Sequence, residues 1–437
     1  MTANHAPSTQ KVAGTGRPQS TAKTILGTGL GNAGEWFDWA IYATFAPFFA
    51  GQIFSNANPT SAILSTLAIF AVGFVARPFG GFLFGWLGDR IGRKASMSAT
   101  VGLAAIGSLL IGVTPTFGQV GVWASLLLLV ARLLQGLAHG GELPSSQTYL
   151  SEIAPREKRG FWATLIYVSG TIGNMVGILM GAVLTAVLSR ADMNAWGWRV
   201  PFLVGAVFGL YALVMRARMK ESEIFEKEPS TAKREPLWPQ IVRHRKQAMQ
   251  VIGLTVGLTV SYYVWAIVAP TYASTQLGVD RGAALWAGFW ANVVFLIALL
   301  VFGKLSDRIG RKPVLWISSI GAGVMFFPMN RMLNHSAVNL FIAQSVMLIF
   351  IAASAAIVPA VYAELFPTSI RTVGVGVPYS ICVALFGGTA PYLQTWLGST
   401  VGANAFNVYT VVLLAVSALV VFTIPETKGK DLAADAV

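Results

Sequence analysis

Twelve apolar stretches, each long enough to cross a bilayer as a helix, dominate this 437-residue chain. They fall at about 24–50, 62–86, 95–114, 121–149, 160–188 and 199–215, then 248–273, 284–303, 313–330, 338–363, 373–398 and 404–424. A helix needs roughly 20 apolar residues to span the hydrocarbon core. Within lipid every backbone N–H and C=O must be bonded inside its own segment, which leaves the helix as the solution for such runs. The pattern dictates an all-α membrane protein. Only 11% of residues are charged, against about 25% in soluble domains, and that excludes a soluble enzyme or DNA-binding domain.

The spans form two sets of six around one polar stretch. The expected organisation is a tail (1–22), a six-helix domain (23–215), a linker (216–247), a second six-helix domain (248–424) and a tail (425–437). Residues 1–22 lack an apolar signal core, so the first span is expected to be retained and the tail before it to stay in the cytoplasm.

The formal net charge of +13 is explained by where the cations lie. With both termini inside, 25 of the 31 Lys and Arg fall in cytoplasmic segments. Arg190, Arg199, Arg281 and Arg331 lie outside, and Arg77 and Arg132 lie within spans. This is the positive-inside distribution, and an odd number of spans would destroy it. The basic balance reports orientation in a lipid bilayer and no nucleic-acid partner. Cys382 stands alone, so no internal disulfide forms.

The halves also repeat. GWLGDRIGRK at 85–94 returns as GKLSDRIGRK at 303–312, an offset of 218 residues. After the fourth span, Glu152, Pro155 and Arg159 return after the tenth as Glu364, Pro367 and Arg371, an offset of 212. Duplicated six-helix halves fit a transporter that rocks about a site between them.

These motifs resemble those of the major facilitator superfamily. The loop signature stands as Gly85, Leu87, Asp89, Arg90, Gly92, Arg93 and Lys94, and the fourth-helix signature as Arg132, Gln135, Gly136 and Gly140. GNAGEWFDWAIY (31–42), VGFVARPFGG (72–81), GWRVPF (197–202) and FGGTAPYL (386–393) resemble the metabolite:proton symporter branch. The chain departs from α-ketoglutarate carriers at 140–144, where GGELP replaces GGEYG. The resemblance implies the major facilitator fold, with twelve transmembrane helices in two pseudo-symmetric six-helix bundles and cytoplasmic termini. It also implies a bacterial inner-membrane location and a monomer.

Few ionisable residues lie within spans: Glu35 and Asp38 in the first, Arg77 in the second, and Arg132, His139 and Glu142 in the fourth. A charge at mid-membrane costs about 2.5–3.5 kcal/mol on insertion scales, so each needs a cavity or a partner. Glu35 lies twelve residues beyond Lys23 and Arg77 twelve before Asp89, about 18 Å of helix from the same surface. Tyr42 continues the Glu35 and Asp38 face, and Gln135 shares a stripe with Arg132, His139 and Glu142. Asp38 with Arg132 is the leading proton-coupling pair, and Glu35 is the rival carboxylate. Arg77 is the candidate to hold a substrate carboxylate, since guanidinium binds carboxylate through two parallel bonds. The second half offers Tyr262, Tyr263, Trp265, Asn292, Tyr379 and Thr389 as cavity candidates, although aromatic residues are more often filler. Structural salt bridges are the competing explanation for the charges.

The loop residues have another expected role. Asp89, Arg90 and Arg93 with Asp307, Arg308 and Arg311, and Glu152 and Arg159 with Glu364 and Arg371, are expected to form a latch that stabilises one access state. Gly173, Gly177 and Gly181 at four-residue spacing suggest a close helix-packing face.

Gly29, Gly31 and Gly34 match a dinucleotide fingerprint but lie inside a span with no strand before them. No phosphate-binding loop of the ATPase type is present, and the four histidines do not cluster, so neither ATP nor a metal is expected. The expected function is proton-coupled symport of a small organic acid, α-ketoglutarate being the best single candidate and the proton the only coupling partner. Carriage of zwitterions such as proline or betaine is the alternative. A non-transporting receptor or passive channel is the alternative from another class. No nucleophile–base or metal constellation suggests an enzyme.

Overall fold

Long apolar segments joined by short polar turns pack as helices because lipid offers no other partner for their backbones. The computed structural model describes residues 21–54, 58–91, 93–140, 147, 150–217, 242–367 and 370–432, less the side chains of 21–28, 85, 88–95, 97 and 215–217. The first six long helices are α1 (Thr21–Ile53), α2 (Pro59–Ile91), α3 (Arg93–Val113), α4 (Val122–His139), α5 (Arg159–Val187) and α6 (Val200–Ala217). The second six are α7 (Arg245–Gln276), α8 (Arg281–Ile309), α9 (Arg311–Met332), α10 (Ala337–Leu365), α11 (Arg371–Thr400) and α12 (Ala403–Thr423). Ten of these have the length and hydropathy of a membrane crossing among the described residues. Residues 1–20, most of the expected linker (218–241) and 433–437 lie outside the described residues.

Small residues let the first-half helices touch backbone to backbone. A Cβ on Gly140 would lie 1.9 Å from the Arg77 carbonyl oxygen, and one on Gly136 2.0 Å from that of Gly73. This crossing of α2 and α4 sets Arg77 beside the stripe that carries Arg132 and His139. Gly173 meets Ala33, Gly177 meets Ala40 and Ile41, and Gly181 meets Thr44 on α1, which is the packing face that their spacing suggests.

Three second-half helices are broken where the sequence reads as continuous. Pro270, Pro359 and Pro391 each stand within the first two residues of a restarted helix. Proline lacks an N–H and clashes with the carbonyl four residues earlier, so the preceding turn loosens. In α7 it widens to a π-helix over Tyr263–Val268, in α11 over Val383–Gly387, and in α10 it opens into a turn after Ala355. The Ala266 carbonyl that Pro270 cannot serve instead accepts from Asn174 Nδ2 (3.0 Å) and Asn292 Nδ2 (3.2 Å). Gln344 Nε2 likewise donates to the Trp265 carbonyl at 2.7 Å.

The halves meet at three depths. On the basic face, cytoplasmic by the positive-inside rule, Gly160 and Phe161 of α5 bond to Asp307 of α8. At mid-depth Asn174 meets Asn292, and Gly388 packs on Phe74. Near the opposite face Thr271 Oγ1 donates to the Ala43 carbonyl (2.9 Å), and the Arg281 guanidinium lies over the Phe48 ring.

Candidate functional site

At the centre, α1 presents two carboxylates to two different partners. Arg77 Nη2 lies 2.7 Å from Glu35 Oε1, and both side chains are buried. Asp38 does not form the expected ion pair with Arg132. A polar chain joins them instead: Arg132 Nη1 donates to Gln135 Oε1 (2.7 Å), Gln135 Nε2 to Ser108 Oγ (2.8 Å), and Ser108 Oγ to Asp38 Oδ1 (3.0 Å). His139 Nε2 stands 3.4 Å from Asp38 Oδ2. The physical reason is position along α4: His139, seven residues and about two turns from Arg132 on the same stripe, is the residue level with Asp38, so Gln135 and Ser108 of α3 fill the gap.

Both guanidinium groups lie over Trp39, Arg132 at 3.9 Å from the ring centroid and Arg77 at 4.5 Å. Arg132 also meets Tyr42 and Phe70, and Arg77 meets Phe74. Aromatic faces contribute about 0.5–2 kcal/mol each to holding a cation, which suits arginines whose Nε atoms find no hydrogen-bond partner among the described residues. Neither Trp39 nor Ser108 stood out as a site residue in the sequence, because tryptophan and serine are ordinary in membrane helices. Tyr42 spends its hydroxyl on the Thr66 carbonyl at 2.9 Å, inside the first half. Its ring lies 4.4 Å from the Arg132 guanidinium carbon.

The facing wall comes from α5 and α7. Tyr263 stacks on Trp36 (6.1 Å, 22°), and Tyr262 meets the same ring edge-on at 5.2 Å. Tyr263 is within electrostatic reach of both Arg77 and Glu35. Tyr379 packs against Tyr362 and also senses Arg77. Asn292 belongs to the contact between α5 and α8, and Thr389 bonds its own helix at the Leu385 carbonyl. Glu142 lies outside the described residues. Among the described residues no group of His, Cys, Asp and Glu is placed to hold a metal.

On the cytoplasmic face the two repeats exchange partners. Arg159 bonds Glu364 of the other half (3.1 Å) while its Nε donates to the Ser151 carbonyl. Arg371 bonds Glu152 (2.7 Å) while its Nε donates to the Ala363 carbonyl, eight residues back in both cases. Asp307 accepts the backbone N–H groups of Gly160 and Phe161 at the start of α5, and Arg311 braces it at 2.9 Å. Arg308 contributes its carbonyl, which accepts from Lys428, and its guanidinium takes no ion pair among the described residues. The side chains of Asp89, Arg90 and Arg93 lie outside the described residues.

No motif or repeat announces the strap after α12. Thr427 donates to Glu364 (2.6 Å), Arg159 donates to the Lys430 carbonyl, and Arg156 pairs with Asp431. Glu426 caps α9. Burial opposes its charge, but three backbone N–H groups, from Arg311, Lys312 and Lys428, outweigh burial and hold its carboxyl below the ordinary range. The stability it contributes is present above the ordinary carboxylate range and lost as pH falls through the depressed value. Glu426→Gln is therefore expected to lower the melting temperature at neutral pH, with the gap to wild type closing in acid. A gap that stays constant with pH would contradict this cap.

Residues 28–289 match the family model described as Major Facilitator Superfamily, and residues 215–435 that described as Sugar (and other) transporter. The chain is 34% identical to an alpha-ketoglutarate permease of Escherichia coli, over 93% of this chain and 94% of that one. It is 33% identical to a putative proline/betaine transporter of Staphylococcus haemolyticus, over 95% and 90%. A crystal structure of a D-xylose-proton symporter superposes with a TM-score of 0.73 at 20% identity, over 94% of this chain and 99% of that one. The duplicated helical halves, the loop motifs and these matches agree. The chain is a multi-pass transporter of the bacterial inner membrane, not an enzyme, and it belongs to the major facilitator superfamily.

Proposed function

We propose that the protein carries a small organic acid, with α-ketoglutarate or a related mono- or dicarboxylate as substrate, together with protons by alternating access. The observation that carries this reading is the pair of buried guanidinium groups, Arg77 and Arg132, beside two buried carboxylates at the meeting of the halves. Buried ionisable groups in membrane spans mark substrate and proton pathways, and two cations suit a substrate with two carboxylates. The name of the Escherichia coli permease supports the same class. Glu35 and Asp38 are the proton-coupling carboxylates, and Arg132 balances Asp38 through Gln135 and Ser108. Arg77, with Tyr263 and Tyr379 within electrostatic reach of it, forms the substrate side. The cytoplasmic exchange of arginines and glutamates is the latch that holds the inner side shut. The proton is the only coupling ion, no cofactor takes part, and the working unit is a monomer.

One observation favours zwitterions as a second reading. Trp36, Tyr167, Tyr262 and Tyr263 gather their rings next to Arg77, the kind of surface that holds a quaternary ammonium. The test is radiolabelled uptake by purified protein in liposomes under an inward proton gradient. Labelled α-ketoglutarate is expected to accumulate uphill, to be lost on adding a protonophore, and to be displaced by related acids. Displacement or uptake by betaine or proline alone would replace the substrate class. Uptake indifferent to the gradient would remove the symport reading.

A further inference from the structure

The outer face carries arginines without carboxylates to match them. Its charged residues are Arg190, Arg199, Arg281 and Arg331 against Asp192 and Asp280, counting histidine as neutral. Both aspartates are engaged in their own turns. Asp192 Oδ2 accepts from Ser189 Oγ at 2.6 Å, and Asp280 Oδ2 accepts the Ala283 N–H at 3.0 Å, which caps α8. Arg199 is spent on the Gly112 and Thr114 carbonyls. No ion pair forms on this face among the described residues, whereas on the cytoplasmic face Arg156, Arg159, Arg311 and Arg371 each hold a carboxylate.

Two of the outer arginines come together where the halves meet. Arg281 opens α8 of the second half, and Arg190 follows α5 of the first. A Cβ on Gly282 would lie 3.8 Å from Thr185 Oγ1, so the start of α8 abuts the end of α5. Arg281 is half-buried, its guanidinium carbon 4.7 Å from the centre of the Phe48 ring of α1. Arg190 is exposed and within electrostatic reach of it. Like charges at such range repel, and an aromatic ring steadies a cation without neutralising it. What the pair lacks is an anion. We propose that Arg281 and Arg190 form an outer docking site for a carboxylate anion, occupied before the outer side opens. This rests on the reading of the protein as an organic-acid carrier, and it adds a place of entry to the central site.

The docking site stands in line with the central one along α1. That helix carries Glu35 at the centre, Ala43 at the contact with Thr271, and Phe48 against Arg281. Ala43 lies eight residues beyond Glu35, about 12 Å of helix, and Phe48 another five, about 7.5 Å. The Thr271 contact therefore joins the halves between the two sites, and Arg281 lies just outside it. An anion held by Arg281 waits at the seam along which the halves must part. Unneutralised cations at such a rim also raise the local concentration of anions, and salt screens this within about 10 Å at 0.1 M. A substrate with two carboxylates gains most from that field, and a zwitterion of zero net charge gains little. The outer site thus selects organic acids over betaine ahead of any selection at Arg77.

The test uses the purified full chain in liposomes under an inward proton gradient, with labelled α-ketoglutarate as the probe. Potassium chloride is varied from about 20 to 200 mM at constant osmolality, which spans weak to strong screening. The KM of wild type is expected to rise severalfold over that range, with a much smaller change in maximal rate. Arg281→Gln and Arg190→Gln are each expected to raise KM about three- to tenfold at the lower salt and to flatten its salt dependence. Arg281→Lys keeps the charge and most of the low KM. Arg190 is exposed, so its variant tests the site without touching the Phe48 contact. A salt dependence that is the same in wild type and both glutamine variants overturns the docking site and leaves the organic-acid reading standing. A fall in maximal rate at unchanged KM does the same, since it would make the arginines structural. Wild type that neither takes up α-ketoglutarate nor is inhibited by it overturns the organic-acid reading, and the docking site with it.

Discussion

Glu364→Ala is expected to lower the melting temperature strongly and to open the cytoplasmic face, whereas Glu152→Ala is expected to do little. The two glutamates are equivalent by the internal repeat, yet their surroundings differ. Glu364 is 1% exposed and binds Arg159, Arg311 and Thr427 at once. Arg159 and Arg311 are themselves buried, so removing their shared anion strands Arg159 and leaves Arg311 with Asp307. Removing one partner of a buried ion pair costs about 3–5 kcal/mol. The Glu152 side chain is 39% exposed and among the described residues pairs with Arg371 alone. An ion pair that wet is worth about 0–1 kcal/mol, and Arg371 keeps the Ala363 and Leu432 carbonyls. Cys382 is the single cysteine and is buried, so its reaction with a thiol probe on heating reports unfolding directly. A cysteine placed at buried Ser151, in a Cys382→Ala background, would report opening of the face at low temperature. Equal shifts for the two alanine variants would mean that burial does not set the weight of this latch.

The same repeat explains how much of the protein is legible from residues alone. The recurrence of Glu152 and Arg159 as Glu364 and Arg371 marks the residues that exchange partners between the duplicated halves, because such an exchange requires equivalent residues. Apolar run lengths locate the spans for a similar reason, since a bilayer admits one backbone solution. The central pairing is another matter. Counting residues along a span gives depth, and Glu35, Asp38, Arg77 and Arg132 do lie together. A residue count does not fix which turn of one helix stands level with which turn of the next, and so the ion pair falls on Glu35 and Arg77 while Asp38 meets His139 and reaches Arg132 through two intermediates. Ser108 carries no local signal of that role. Pro270, Pro359 and Pro391 are a readable signal for broken helices, but hydropathy passes over them because the runs around them stay apolar. The strap at 425–432 is polar and short, and nothing in its pattern announces what it binds.

The polar chain from Asp38 to Arg132 makes a sharper prediction than either residue alone. Asp38→Asn preserves shape and lets Ser108 still donate to an oxygen, but it leaves Arg132 without a compensating charge. Arg132→Leu leaves Asp38 in the opposite predicament. Each single change is expected to cost about 3–5 kcal/mol by stranding a buried ion. The three aromatic faces around Arg132, at about 0.5–2 kcal/mol each, are already engaged in the wild type and cannot replace the anion. The double variant restores neutrality, so its loss of stability is expected to fall short of the sum by about 0.5–3 kcal/mol, the range of coupled neighbours. Coupling of this size between groups that do not touch requires transmission through Gln135 and Ser108. Ser108→Ala in the same cycle should shrink it. Strict additivity in thermal unfolding would mean that Asp38 and Arg132 are independent structural charges. Coupling would mean that they form a fixed, self-neutralising unit.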